Sequence, residues 1–211
     1  MIHQFKNVLV LSPHTDDGEL GCGGTIAKFV EAGAVIHYVA FSTAEKSVPA
    51  GYPKNALETE VREATRRLKI SPDNLTLYPY EVRKLHEHRQ EVLEHLVELS
   101  RTVKFDLVLQ PSMYDIHQDH TTVAQESLRA FKRISILGYE LIWNNLTFDT
   151  TAFVSLEKRH VDAKCAALSA YASQSGKPYM REEFISSLAR ARGVQIGAEY
   201  AETFEVIRWV M

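Results

Sequence analysis

The sequence predicts an α/β protein: one three-layer domain over residues 1–211, with a mostly parallel sheet. Three observations carry this expectation. Short continuous apolar runs, Val8-Leu9-Val10-Leu11 and Leu107-Val108-Leu109, have the character of strands buried on both faces. Stretches of helical period alternate with them along the chain. With 211 residues, the chain can bury roughly 70% of its unfolded surface without disulfides or a structural metal.

The elements follow in order. After the strand at Val8–Leu11 comes a turn-rich stretch, Ser12–Gly24. A helix is expected over Thr25–Ala32, where Ile26, Phe29 and Val30 recur at helical spacing, and Gly33 is its stop. Ala34–Phe41, rich in β-branched and aromatic residues, completes a strand–helix–strand unit with a right-handed crossover. A loop over Ser47–Lys54 leads into a helix carrying Leu57, Val61, Ala64 and Leu68 on one stripe. Leu75–Tyr80 reads as a third strand, and Gln90–Thr102 as a helix with Leu93, Leu96 and Val97 on its face. Phe105–Gln110 is a buried strand that Pro111 stops. Thr121–Lys132 is read as a helix, Ile136–Trp143 as a strand and Phe148–Val154 as an extended piece. An Ala-rich helix over Glu157–Tyr171, a helix over Phe184–Ala191 and an alternating strand over Phe204–Val210 finish the chain.

Composition narrows the function classes. Lys and Arg number 24 against 27 Asp and Glu, a net charge of −3, which argues against a dedicated nucleic-acid binder. No apolar run approaches the ~20 residues of a membrane helix. Met1–Asn7 shows no secretory signal, and Cys22 and Cys165 sit in no paired motif, so a cytoplasmic protein with free thiols is expected.

Chemistry concentrates in two loops, each beginning where a buried strand ends. The first reads Ser12-Pro13-His14-Thr15-Asp16-Asp17-Gly18-Glu19; the second reads Asp115-Ile116-His117-Gln118-Asp119-His120. In a parallel sheet both converge on the carboxyl ends of the strands, where ligands bind. Imidazole and carboxylate are the ligands of a zinc-type ion, and a catalytic zinc wants three of them plus an open position. His14, Asp17 and one histidine of the second loop meet that count. Two adjacent aspartates after a buried strand repel each other, and a cation explains their tolerance. Asp16 and Asp17 as simple helix caps are the bland alternative for the first loop. Gly21-x-Gly23-Gly24 is read as easing a tight strand-to-helix turn rather than cradling a phosphate.

At these residues the chain resembles the PIG-L/LmbE-like zinc-dependent de-N-acetylases. The resemblance rests on Pro13-His14-Thr15-Asp16-Asp17-Gly18-Glu19, Gly23-Gly24 and His117-Gln118-Asp119-His120. Lys164, Tyr171-Ala172-Ser173-Gln174 and Ala201-Glu202-Thr203-Phe204 add to it. Two positions depart from the family pattern. Thr15 stands for the usual proline, and Glu60 stands for an arginine three residues before Glu63, with Arg62 displaced.

The resemblance implies a Rossmann-like (LmbE-like) sheet with a metal site at the C-terminal strand ends. It implies His14, Asp17 and His120 as ligands of Zn2+, or of another divalent cation such as Fe2+. Asp16 is then the general base, a protonated His117 stabilises the oxyanion and Asp119 orients a histidine. The implied reaction removes an N-acetyl group from a small N-acetylglucosamine-type sugar or glycoconjugate. Substrate contacts are sought among Arg62, Arg89, Tyr114, Asp115 and Trp143. The expected partner is that small molecule, with no nucleic acid and no membrane span; a homo-oligomer is compatible with the sequence. Other metal-dependent hydrolysis (an esterase or phosphatase) and a catalytically silent sugar-binding domain are the alternatives. His37, His86, His88, His95 and His160 are read as structural or exposed.

Overall fold

A computed structural model describes residues 5–211; Met1–Gln4, part of the segment read for a secretory signal, lie outside the described residues. Seven strands form one sheet: β1 (Asn7–Ser12), β2 (Val35–Ala40), β3 (Leu75–Leu77), β4 (Leu107–Pro111), β5 (Ser135–Tyr139), β6 (Ala152–Leu156) and β7 (Tyr200–Arg208). Their spatial order is β3-β2-β1-β4-β5-β7-β6. The first five pair in parallel, and β7 runs antiparallel between β5 and β6. Six main helices complete the chain: α1 (Asp17–Glu31), α2 (Ala56–Arg67), α3 (Arg89–Thr102), α4 (Gln118–Ala130), α5 (Lys158–Leu168) and α6 (Glu182–Val194).

The alternation of side chains along each strand builds two cores from one sheet. Val8 and Val10 pack with Ile26, Val61, Val161 and Ile185, from α1, α2, α5 and α6. Leu9 and Leu11 pack on the opposite face with Val92, Leu96 and Val123, from α3 and α4. All four residues of the Val8–Leu11 run are 0% exposed, which accounts for its unbroken hydrophobicity. The chain steps outward from β1 to β2 to β3, then returns to place β4 on the other side of β1. The carboxyl ends of β1 and β4 therefore flank the switch point of the sheet, where a crevice opens.

The largest departure from expectation lies in the Ser12–Gly24 stretch. It is not a long turn: α1 already begins at Asp17 and runs through all four glycines, with one kink at Cys22 (φ −145°, ψ 24°). The glycines serve close approach instead of turning. A Cβ at Gly21 would lie 2.2 Å from the Tyr139 ring, and one at Gly24 would lie 2.5 Å from Leu156. Past the kink, the buried amides of Gly24 and Thr25 donate to the Glu202 carboxylate of β7 at 3.0 and 2.6 Å. Lys164 of α5 binds the same carboxylate at 2.7 Å. Gly21→Ala is expected to cost about 2–3 kcal/mol through overpacking against Tyr139. Its urea unfolding midpoint should fall accordingly; an unchanged midpoint would mean that the ring yields freely.

Smaller differences sit at element ends. The second helix of the site begins at Gln118 rather than Thr121, so Asp119 and His120 lie in its first turn. β5 ends at Tyr139 because the chain turns back at Leu141, whose carbonyl accepts from Asn144 and Asn145. β7 starts at Tyr200, four residues before the expected Phe204. Among the described residues, no helix is long and apolar enough to cross a membrane. Cys22 and Cys165 are both free.

Candidate active site

The loop leaving β1 is held from below by two tyrosines. Tyr38 Oη lies 3.0 Å from both Ser12 Oγ and the Thr15 carbonyl, and Tyr171 Oη donates to the same carbonyl at 2.7 Å. Both phenols also meet the buried carboxyl of Glu19. Burial raises that carboxyl to about 8, against the opposing hydrogen bonds from Tyr38 and from the backbone. Glu19 thus braces the loop from beneath. Asp17 closes the turn by accepting the His14 amide at 2.8 Å. Asp16 stands at the N-cap of α1, yet its side chain caps nothing, which sets aside the simple-cap reading for that residue.

The loop leaving β4 is held by Asp115. Its Oδ1 accepts the His117 amide at 2.8 Å, its Oδ2 meets His120 Nδ1 at 2.7 Å, and its backbone bridges to Asn145. His117 is the N-cap of α4, and its Nδ1 accepts the Asp119 amide at 3.2 Å. Asp119, 0% exposed, accepts the amides of Arg83 (2.5 Å) and Leu85 (3.1 Å) and meets His14 Nε2 at 2.9 Å.

These contacts aim three atoms at one point. His14 Nδ1, Asp17 Oδ2 and His120 Nε2 form a triangle with sides of 3.1, 3.2 and 3.2 Å. A tetrahedral zinc with bonds of ~2.0–2.1 Å separates its ligand atoms by about 3.3 Å, so the triangle fits such an ion. The other nitrogen of each imidazole rests on a buried aspartate, Asp119 for His14 and Asp115 for His120. This is how metal-binding histidines are oriented. His117 belongs to a looser set: one ring nitrogen from each of His14, His117 and His120 lies within 4.8 Å of the others. Its ring stacks on His120 at 4.5 Å and meets His14 edge-on at 4.9 Å.

The electrostatics are those of a site built for positive charge. Burial opposes protonation of His14 and His120, but the Asp17 carboxylate outweighs it with help from Asp119 and Asp115. The two rings rise to about 9 and about 10. Asp17 is held well below the usual carboxylate range because His120 and His14 overcome its burial. Asp16 moves the other way: burial and the neighbouring Asp17 charge raise it, against Lys177 and His14. Burial, together with His120 and His14, pushes His117 down to about 4.

His14, Asp16, Asp17, His117 and His120 all line a cavity of about 300 Å³. Of the residues named as sugar contacts, Trp143 lines it, stacked on Tyr179 with ring centroids 4.0 Å apart. The other four do not. Asp115 is buried behind His120, Arg62 pairs with Glu58, Arg89 with Glu126, and Tyr114 donates to Asp149. Glu60, where the family pattern has arginine, is buried and accepts the Ser173 amide and hydroxyl at 2.8 and 2.6 Å. It ties α2 to the segment carrying Gln174, which lines the cavity. Arg83, Lys177, Tyr179 and Ser47 also line it; none belongs to a motif, so no local signal could single them out. His37, His95 and His160 serve elsewhere, against Phe105, Tyr78 and Glu31 respectively.

Comparisons with known proteins bear on the family and the fold. The family model described as PIG-L, GlcNAc-PI de-N-acetylase, matches residues 9–131, a span that contains both loops. The protein named uncharacterized deacetylase YaiS, from Escherichia coli (strain K12), is 27% identical over 175 residues, 80% of this chain and 91% of that one. The crystal structure of the conserved protein TT1542 from Thermus thermophilus superimposes with a TM-score of 0.79 at 27% identity, covering 97% of this chain and 95% of that one. N,N'-diacetylchitobiose deacetylase from Pyrococcus horikoshii, complexed with its inhibitor MPG, has a TM-score of 0.72 at 20% identity, with coverages of 96% and 84%. At that identity the likeness is one of fold.

Proposed function

Since this chain belongs to the PIG-L (GlcNAc-PI de-N-acetylase) family, we propose that it is a metal-dependent N-deacetylase. Its substrate is a small N-acetylglucosamine-type sugar or glycoconjugate, and its products are acetate and the free amine. The observation that carries this reading is the triangle of His14, Asp17 and His120, with Asp16 and His117 beside it on the same cavity. The N₂O donor set suits zinc and also accepts Fe2+. When bound, such an ion supplies Lewis acidity, which brings the pKa of a water toward ~7 and polarises a carbonyl.

The remaining work falls to the chain. Asp119 and Asp115 accept the His14 Nε2–H and the His120 Nδ1–H, leaving His14 Nδ1 and His120 Nε2 as lone pairs facing the centre. Asp17 contributes the third ligand atom. Asp16 takes the proton of the attacking water as its oxygen adds to the amide carbon, and returns that proton to the nitrogen as the C–N bond breaks. A carboxyl raised by its surroundings suits both halves of that exchange. His117 differs from expectation. Its Nδ1 accepts the Asp119 amide, so the neutral ring carries its proton on Nε2 and donates it as a hydrogen bond to the developing oxyanion. It acts as a neutral donor rather than an imidazolium.

The test measures primary amine released from a panel of N-acetylated amino sugars, alongside the metal content of the purified protein. One ion per chain is expected, with amine release that a chelator abolishes and added zinc restores. Absence of amine from the whole panel, with metal bound, would overturn the reading.

A further inference from the structure

We propose that the cavity takes an N-acetylated amino sugar bearing an anionic substituent, a phosphate or a carboxylate, held by Arg83 and Lys177. This rests on the deacetylase reading and extends it to the substrate's charge. Both cations line the cavity that holds the metal triangle. Among the described residues, neither lies within 4.0 Å of a carboxylate. Their neighbours show that carboxylates are at hand: Lys46 and Lys84, flanking this rim, both pair with Glu81, at 2.7 and 3.3 Å. Arg83 is left with one long side-chain contact, from Nη2 to Ser47 Oγ at 3.4 Å.

Arg83 is also held in place by its backbone. Its φ of 70° lies in the left-handed region, which a bulky side chain adopts only when the surroundings impose it. The imposing contact is the hydrogen bond its backbone N–H donates to Asp119, the carboxylate that meets His14. Lys177 enters from another segment, half-buried, with its ammonium 5.5 Å from the Tyr179 ring that stacks on Trp143. An aromatic wall for a sugar face thus adjoins one cation, and a second stands on the rim formed by Ser47, Val82 and Arg83. A divalent ion would offset Asp16 and Asp17, which lie on the same wall and also act on Lys177, leaving Arg83 and Lys177 as the uncompensated charges of the lining. A guanidinium whose planar donor fork is engaged only by the long Ser47 contact is suited to phosphate or carboxylate.

The experiment uses the zinc-loaded Asp16→Asn protein in calorimetric titrations with N-acetylglucosamine, its 6-phosphate, and an N-acetylamino sugar bearing a carboxylate. One charged ligand should bind about tenfold or more tighter than the neutral sugar, as a charge-assisted contact implies. That advantage should shrink with added salt. In an Arg83→Gln, Lys177→Gln double variant the charged-to-neutral ratio should fall about tenfold, and Arg83→Lys, Lys177→Arg should recover part of it. The two charged ligands tell phosphate from carboxylate. Equal binding of neutral and charged sugars, or a ratio that the double variant leaves intact, would overturn the proposal. Amine release by the parent protein is scored separately. Release without charge preference sinks this inference alone, whereas charge preference without release sinks the deacetylase reading alone.

Discussion

If the proposed mechanism holds, Asp16→Asn is expected to lower the rate of amine release by about a hundred- to ten-thousandfold, the range over which a positioned proton acceptor contributes. The metal content is expected to stay at the parent level, because Asp16 lies outside the ligand triangle. The amide is nearly isosteric, and the Asp16 side chain makes no cap hydrogen bond that its loss would disturb. Asparagine cannot accept the proton of an attacking water. Steady-state kinetics with metal analysis of the same sample decides the matter. Loss of the ion would assign Asp16 to the ligands, and activity within about tenfold of the parent would remove it from the proton transfer.

Glu202→Ala is expected to destabilise the protein by about 3–5 kcal/mol, the cost of stranding one partner of a buried ion pair. Glu202 is 6% exposed and Lys164 is 7% exposed, so neither reaches water easily. The substitution also orphans the Gly24 and Thr25 amides at the kink of α1. Glu202→Gln retains an acceptor for those amides and should lose less. Urea unfolding of the two variants separates the contributions, provided that the denaturant slope is unchanged. Equal midpoints for alanine and glutamine would mean that the amide contacts contribute nothing.

Much of the fold and the core of the candidate site are legible because they are written in local pattern. The Val8–Leu11 and Leu107–Leu109 runs announce strands covered on both faces, and the two acidic, histidine-bearing loops begin where those strands end. The family-like motifs then align His14, Asp16, Asp17, His117, Asp119 and His120 with one crevice. What stays hidden depends on packing between distant segments. Gly18 to Gly24 reads as a turn because glycine usually marks one, and the close approach of Tyr38, Tyr139, Lys164 and Leu156 to the helix explains it. Asp115 reads as a sugar contact, since nothing local says that its carboxylate faces inward to His120. Arg83 and Lys177 come from separate loops, so their shared cavity exists only in three dimensions.

The placement of β7 between β5 and β6 has a consequence for the order in which the molecule assembles. Among the described residues β6 pairs only with β7, so it has no sheet neighbour until residues 200–208 arrive. The Gly24 and Thr25 amides likewise wait for a carboxylate 178 and 177 residues downstream. Synthesis delivers that strand after the other six. Until it docks, β5 presents an unpaired edge and α1 lacks the group that settles its bend. Contacts of such long sequence separation make for slow folding. The interval before β7 inserts is therefore when this chain is most open to pairing with a wrong strand or a second copy of itself.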